Sequence, residues 1–277
     1  KILRKSMVSK LTIYKPEYPG YAENPTYENN CREMMGIWRE NGWVDFSFIS
    51  GDYLWANKEQ TFLLWDRARI DDRPVPPFVS GLFANTVPEH DQIHAWTFFS
   101  RHPRKVCEQI DKGVKSYDDR PIKSIFMGKV ENQVQANGRL NYDWSQGIEE
   151  FVMPIQGGGP HAYPYTQEQY QERLALSKFG LLLPGYGPKC NRDIECMAHG
   201  TVPIVVQGCD VKNYHEPWIE GVHYVSVKTP QEVDKKLNSI SKNEWEYMHN
   251  ACRSWYERNA SPLGSFKLTE MLIEKWS

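Results

Sequence analysis

Leu174–Val206 reads LALSKFGLLLPGYGPKCNRDIECMAHGTVPIVV, and its interpretation decides the fold. The pattern predicts helix, strand, loop, helix, strand. A helix over Tyr165–Lys178, with Thr166 as its cap, ends at Gly180. Leu181-Leu182-Leu183 is an apolar run of the length of a buried strand. Pro184-Gly185-Tyr186-Gly187-Pro188 cannot continue any regular element. Asn191 suits the cap of a second helix running to about His199, with Gly200 just beyond its end. Pro203-Ile204-Val205-Val206 supplies a second buried strand. Parallel strands joined by a helix leave a crevice at their carboxyl ends, where ligands bind.

The loop and helix start carry the chemistry. Lys189 and Arg192 are cations at a helix N-terminus, a place that already attracts anions. Arg192 and Glu195 are three residues apart and share a helix face. A cation for phosphate with a carboxylate one turn later for sugar hydroxyls forms a nucleotide clamp. An ordinary intrahelical ion pair has the same spacing, so spacing alone leaves both open.

The run Leu183-Pro184, Arg192, Glu195, Gly200, Pro203, Ile204 resembles the donor-binding segment of the exostosin-like glycosyltransferases. A looser likeness extends over most of the second half of the chain. Lys189-Cys190-Asn191 stands where that family usually carries serines. The resemblance implies a diphosphate contact for Arg192 and a ribose contact for Glu195; Lys189 and Tyr186, in the adjoining loop, are further candidates for binding the donor. It also implies an α/β fold of two Rossmann-like domains facing a central cleft, the GT-B type. The implied reaction is inverting transfer of a sugar from a UDP-sugar to a hydroxyl of an acceptor glycan. Xylose is the first candidate sugar, because the likeness is strongest to the family's viral branch, which builds capsid-protein glycans.

The chain has 277 residues, 40% hydrophobic, and a formal net charge of -2. That permits one large domain or two modest ones and argues against a nucleic-acid surface. The six cysteines, at 31, 107, 190, 196, 209 and 252, show no metal-ligand spacing. Free thiols in a reducing compartment are expected. With no apolar run long enough to span a bilayer and no signal-like segment, a cytoplasmic protein is expected.

Strands alternating with helices predict an α/β class throughout. In the first half, strands are expected at Leu11–Tyr14, Phe46–Ile49, Thr61–Trp65 and Ile93–Phe99, and helices at Tyr27–Glu40 and Arg101–Lys115. Polar Lys115–Pro121 suggests a boundary. The expected domains are 1–115 for the acceptor, 116–262 for the nucleotide-sugar, and 263–277 as a helix crossing back to the first. In the second half, the strand Ser124–Met127 is followed by Gly128-Lys129. A glycine there lets the backbone approach a phosphate closely, and the resemblance places the same pair against the donor. Asn137–Asn141 is expected to be a turn or loop.

Inversion requires a base on the acceptor hydroxyl. Asp45, Asp71, Asp72 and Glu89 are candidates, with His90 beside the last. Asp72 is favoured because it follows a strand and precedes the stiffening Pro74, Pro76 and Pro77. Asp71 and Asp72 could equally pair with Arg69 and Arg73 on a wet surface. No Asp-x-Asp pair occurs, so no metal or cofactor is expected beyond the donor itself. The competing readings are a sugar-binding protein that has lost its base and a nucleotide-sugar epimerase or dehydrogenase. The latter needs a Gly-x-Gly-x-x-Gly fingerprint, which Leu11–Gly20 lacks.

Overall fold

The computed structural model describes residues 11–15, 25–43, 46–50, 62–64, 81–83, 93–155, 164–185 and 187–276. The chain divides into two compact units, one of residues 1–99, 213–215 and 258–277, the other of 100–212 and 216–257.

In the first unit, β1 (Leu11–Lys15) pairs in parallel with β2 (Phe46–Ser50), and α1 (Pro25–Glu40) lies between them in sequence. β3 (Phe62–Leu64), β4 (Gly81–Phe83) and β5 (Ile93–Ala95) form a second parallel sheet. Met34, Met35 and Trp38 of α1 recur at helical spacing, and all are buried. The last helix of the chain, Pro262–Trp276, belongs to this unit. Its Phe266 packs edge-on against Trp38, and its Thr269 accepts a 2.8 Å hydrogen bond from the Trp96 indole.

The second unit opens with α2 (Pro103–Asp111) and is built on β6 (Ile122–Met127), α3 (Gln133–Arg139), β7 (Glu150–Val152), α4 (Gln167–Ala175), β8 (Ser177–Leu182), α5 (Asn191–His199), β9 (Val202–Val205), β10 (Val225–Ser226), α6 (Pro230–Asn238) and α7 (Lys242–Asn259). Its five strands are all parallel, in the order β7-β6-β8-β9-β10, so the unit is a Rossmann-like α/β sheet. The four residues of β9 are all buried, as are the last four of β6 and of β8, which matches strands covered on both faces. Phe126, Phe179, Leu181, Ile204, Val225, Val233 and Trp245 share one core.

Several local expectations change. The helix before the organising strand is shorter than Tyr165–Lys178. Gly180 ends no helix; it lies inside β8 and pairs with Pro203. Its missing side chain has a packing reason, since a Cβ there would fall 2.6 Å from the Cys196 sulfur of α5. Thr166 does cap α4, accepting from Gln169 N–H while its own N–H donates to the Gln169 side chain. Asn137–Asn141 is no free turn, because α3 runs through Arg139 from an Asn132 cap. The units divide at Phe99/Ser100 rather than at 115/116. Elements of the second unit hold this stretch, since the Arg101 N–H donates to Glu195 on α5.

The amino ends of the strands are tied by Arg120. This buried guanidinium donates to the carbonyls of Ser177 and His199 at 2.7 and 2.6 Å and to the Thr201 hydroxyl at 3.0 Å. Charge-assisted bonds of this kind fix β8 and the end of α5 at one edge of the sheet. The opposite edge, at the strands' carboxyl ends, is left for the site.

Candidate functional site

The strand order reverses between β6 and β8, since β7 lies on one side of β6 and β8 to β10 on the other. Open parallel sheets bind ligands outside the carboxyl ends of strands at such a switch point. The residues that follow β6 and β8 here are Gly128 and the Pro184–Pro188 loop, and the loop leads directly into the N-terminus of α5.

α5 starts at Asn191, the residue expected to cap it, and Cys190 takes the cap position in extended conformation. The Asp193 carboxylate reaches back to accept the Cys190 N–H at 2.8 Å. At the far end, Gly200 adopts the left-handed conformation with φ 63°, as a residue just past a helix often does. A Cβ at that position would meet His249 Nδ1 at 2.3 Å.

Four charged groups on or beside this helix start are withdrawn from water: Lys189 (3% exposed), Arg192 (8%), Asp193 (2%) and Glu195 (2%). The Arg192 guanidinium donates to the Met127 carbonyl at 2.6 Å and stacks over the Phe126 ring, 4.2 Å from its centroid. Both partners belong to the end of β6. Gly128 comes next, and a Cβ there would lie 2.5 Å from the guanidinium nitrogen and 2.8 Å from the Phe126 ring. A side chain at position 128 would therefore displace Arg192. The sequence offered backbone approach as the reason for this glycine. The structure adds that the glycine makes room for the cation.

Lys189 is pulled down to about 8 by burial, against the raising charges of Asp210 and Asp193. Asp193 is pushed up to about 7 by burial, against the Cys190 N–H and the charges of Arg192 and Lys189. Both groups thus sit near their switching point at neutral pH. The Glu195 carboxyl is also raised by burial, opposed first by the Tyr170 hydroxyl. That hydroxyl donates to one Glu195 oxygen at 2.7 Å, and the Arg101 N–H donates to the other at 3.0 Å. Arg192 and Glu195 thus share α5 but meet different elements, Arg192 the end of β6 and Glu195 α4 and the chain before α2. Each carboxylate oxygen keeps a second lone pair for a hydroxyl donor.

The expected site residues do not all converge. Gly128 and Arg192 are in direct proximity, and Lys189 is buried on the same helix approach. The Lys129 ammonium is partly exposed and pairs with Glu131, while its carbonyl faces Arg139. Tyr186 and Asp72 lie outside the described residues. Two participants escaped the sequence reading. Asp193 is the acid at the third helical position, a recognisable capping signal. Arg139 on α3 also reaches the site; nothing in its local pattern marks it.

A hollow of about 420 Å³ lined by Lys236, Ile240, Asn243, Glu244, Tyr247 and Met248 shares none of these residues. Among the described residues no cluster of His, Cys, Asp or Glu could hold a metal ion, and no helix is long and apolar enough to cross a membrane. Cys107, Cys190, Cys196, Cys209 and Cys252 form no disulfide. No family model and no curated protein matches the chain.

Proposed function

We propose that the protein is an inverting glycosyltransferase that takes its sugar from a UDP-sugar and passes it to a hydroxyl of an acceptor glycan. The observation that carries the reading is Arg192. It is a buried cation at a helix N-terminus, held on the end of β6 at the switch point of a parallel sheet, with Gly128 leaving it room. Buried cations aimed at the start of a helix suit a diphosphate leaving group, whose charge grows as the glycosidic bond to it breaks. Glu195, held by Tyr170 and Arg101, suits the ribose. In this reading the second unit holds the donor, the first unit supplies the acceptor and Asp72 as base, and the two form a GT-B type pair. Xylose as the transferred sugar and a viral capsid glycan as acceptor extend the same resemblance. A screen of the purified protein against nucleotide-sugars, reading released nucleotide with and without glycan acceptor, tests the reading. Release from UDP-xylose that depends on acceptor supports it; no release from any UDP-sugar contradicts it.

Two further outcomes are expected. Activity survives EDTA, because positive side chains rather than a divalent ion offset the diphosphate charge. Complete loss restored by manganese or magnesium would show that a metal site exists, and Asp71 with Asp72 would be the first place to seek it.

The second outcome concerns pH. An anion favours protonated Lys189 and neutral Asp193, so it raises the pKa of both. Affinity must therefore fall as pH rises through the free values of about 7 and about 8. UDP-xylose is the suitable ligand, since its esterified phosphates do not titrate there. Calorimetry between about pH 6 and about pH 9 should show weakening by up to about tenfold per unit per proton taken up. A flat profile would remove Lys189 and Asp193 from the donor contact.

A further inference from the structure

Arg139 stands at the last position of α3, a short helix that the function described so far does not use. It is 6% exposed. Its Nε donates to the Pro184 carbonyl at 2.9 Å, and its Nη1 to the Lys129 carbonyl at 2.5 Å. Its Nη2 lies 4.0 Å from the Cys190 sulfur. One guanidinium thus touches the segment after β6, the loop after β8 and the cap of α5. These three pieces meet at the carboxyl ends of β6 and β8.

The fit around it is close. A Cβ on Gly138 would fall 2.9 Å from the Pro184 ring, and one on Gly185 would fall 3.2 Å from the Arg139 guanidinium and 2.8 Å from the Cys190 sulfur. α3 and the loop after β8 therefore approach to a distance that only glycines permit. Arg139 also shares a ring with Arg192, their guanidinium carbons lying 6.0 and 4.2 Å from the Phe126 centroid. Burial, and after it the Arg192 charge, lowers the Arg139 pKa. Two cations held on one aromatic ring repel each other, and an anion between them offsets that repulsion.

We propose that Arg139 is a positioning residue for the donor diphosphate: it fixes the spacing of the two crevice loops and adds a second buried positive charge beside Arg192. The inference rests on the donor reading above. Lysine cannot replace it fully, because one ammonium cannot span two carbonyls in the fixed geometry of a guanidinium fork. Methionine keeps bulk but removes charge and fork together.

The test compares wild type, Arg139→Lys and Arg139→Met by calorimetry with UDP and with inorganic diphosphate, and by ligand-observed NMR with uridine. Amide exchange over residues 185–193 is followed without ligand. Wild type should bind UDP and diphosphate. Arg139→Met should weaken both by at least about tenfold, Arg139→Lys by less, and uridine binding should stay within about twofold. Exchange over 185–193 should quicken in both variants. If the methionine variant does not fold, the lysine variant alone carries the comparison. UDP and diphosphate affinities equal to wild type in a folded variant overturn the proposal. Equal losses for uridine and UDP overturn it too, since they reduce Arg139 to general support of the fold. Failure of wild type to bind either anion removes the donor reading itself, and this inference with it.

Discussion

Replacing Arg192 with alanine is expected to raise the dissociation constant for UDP about 10- to 150-fold, the worth of a charge-assisted hydrogen bond of about 1.5–3 kcal/mol. The side chain is buried and engaged with Met127 and Phe126, so the substitution also removes a hydrogen bond and a cation–π contact from the fold. The variant is therefore expected to be less stable than wild type as well. The titration must be run well below the variant's melting temperature, with far-UV circular dichroism showing the native spectrum. Glu195→Gln should lose less, and its loss should shrink for a nucleotide without ribose hydroxyls. Unchanged UDP affinity in folded Arg192→Ala would sink the donor assignment.

The second large effect is expected at Asp72. If it takes the acceptor proton, Asp72→Asn should lower turnover about 10²- to 10⁴-fold, the usual contribution of positioned proton transfer. UDP affinity should stay near wild type, because Arg192, Lys189 and Glu195 are untouched. In the sequence, Asp72 follows the strand that contains Phe62–Leu64 and precedes Pro74. If Asp71 and Asp72 instead pair with Arg69 and Arg73 in water, the change costs under about 0.5 kcal/mol and no rate. Steady-state rates for Asp71→Asn, Asp72→Asn and Glu89→Gln, measured side by side, separate these cases. Near wild-type turnover in Asp72→Asn removes it from the mechanism, and a selective collapse in a neighbour names the replacement.

What the sequence made legible follows from how local each signal is. A Pro/Gly loop after an apolar run, with cations entering a helix, marked Lys189 and Arg192. The structure then placed that loop at the switch point of a parallel sheet. Gly200 was equally readable, because a left-handed residue past a helix is a local requirement. Gly180 was misread, because glycine is a stop signal in a helix and a packing gap in a strand. Here it lies in a strand paired with Pro203 and makes room for the Cys196 sulfur. α3 was missed since Asn137-Gly138 reads as a turn, whereas the helix is capped by Asn132 and bonded through Arg139 to the Pro184 carbonyl. Arg139 was invisible for the same reason: its partners Lys129, Pro184 and Cys190 are distant in sequence. The chain from Ser100 onward belongs to the second unit, where the Arg101 N–H donates to Glu195, a tertiary bond that no composition shift announces.

The central claim is that the donor diphosphate sits at the carboxyl ends of β6 and β8. Amide hydrogen exchange of the intact protein with and without saturating UDP tests it most directly. The account predicts slowed exchange in peptides covering residues 126–130 and 185–195, with the amino-end peptides around Arg120 and Thr201 unchanged. Saturating UDP binding that leaves both crevice segments unprotected, while slowing exchange elsewhere in the chain, would contradict it.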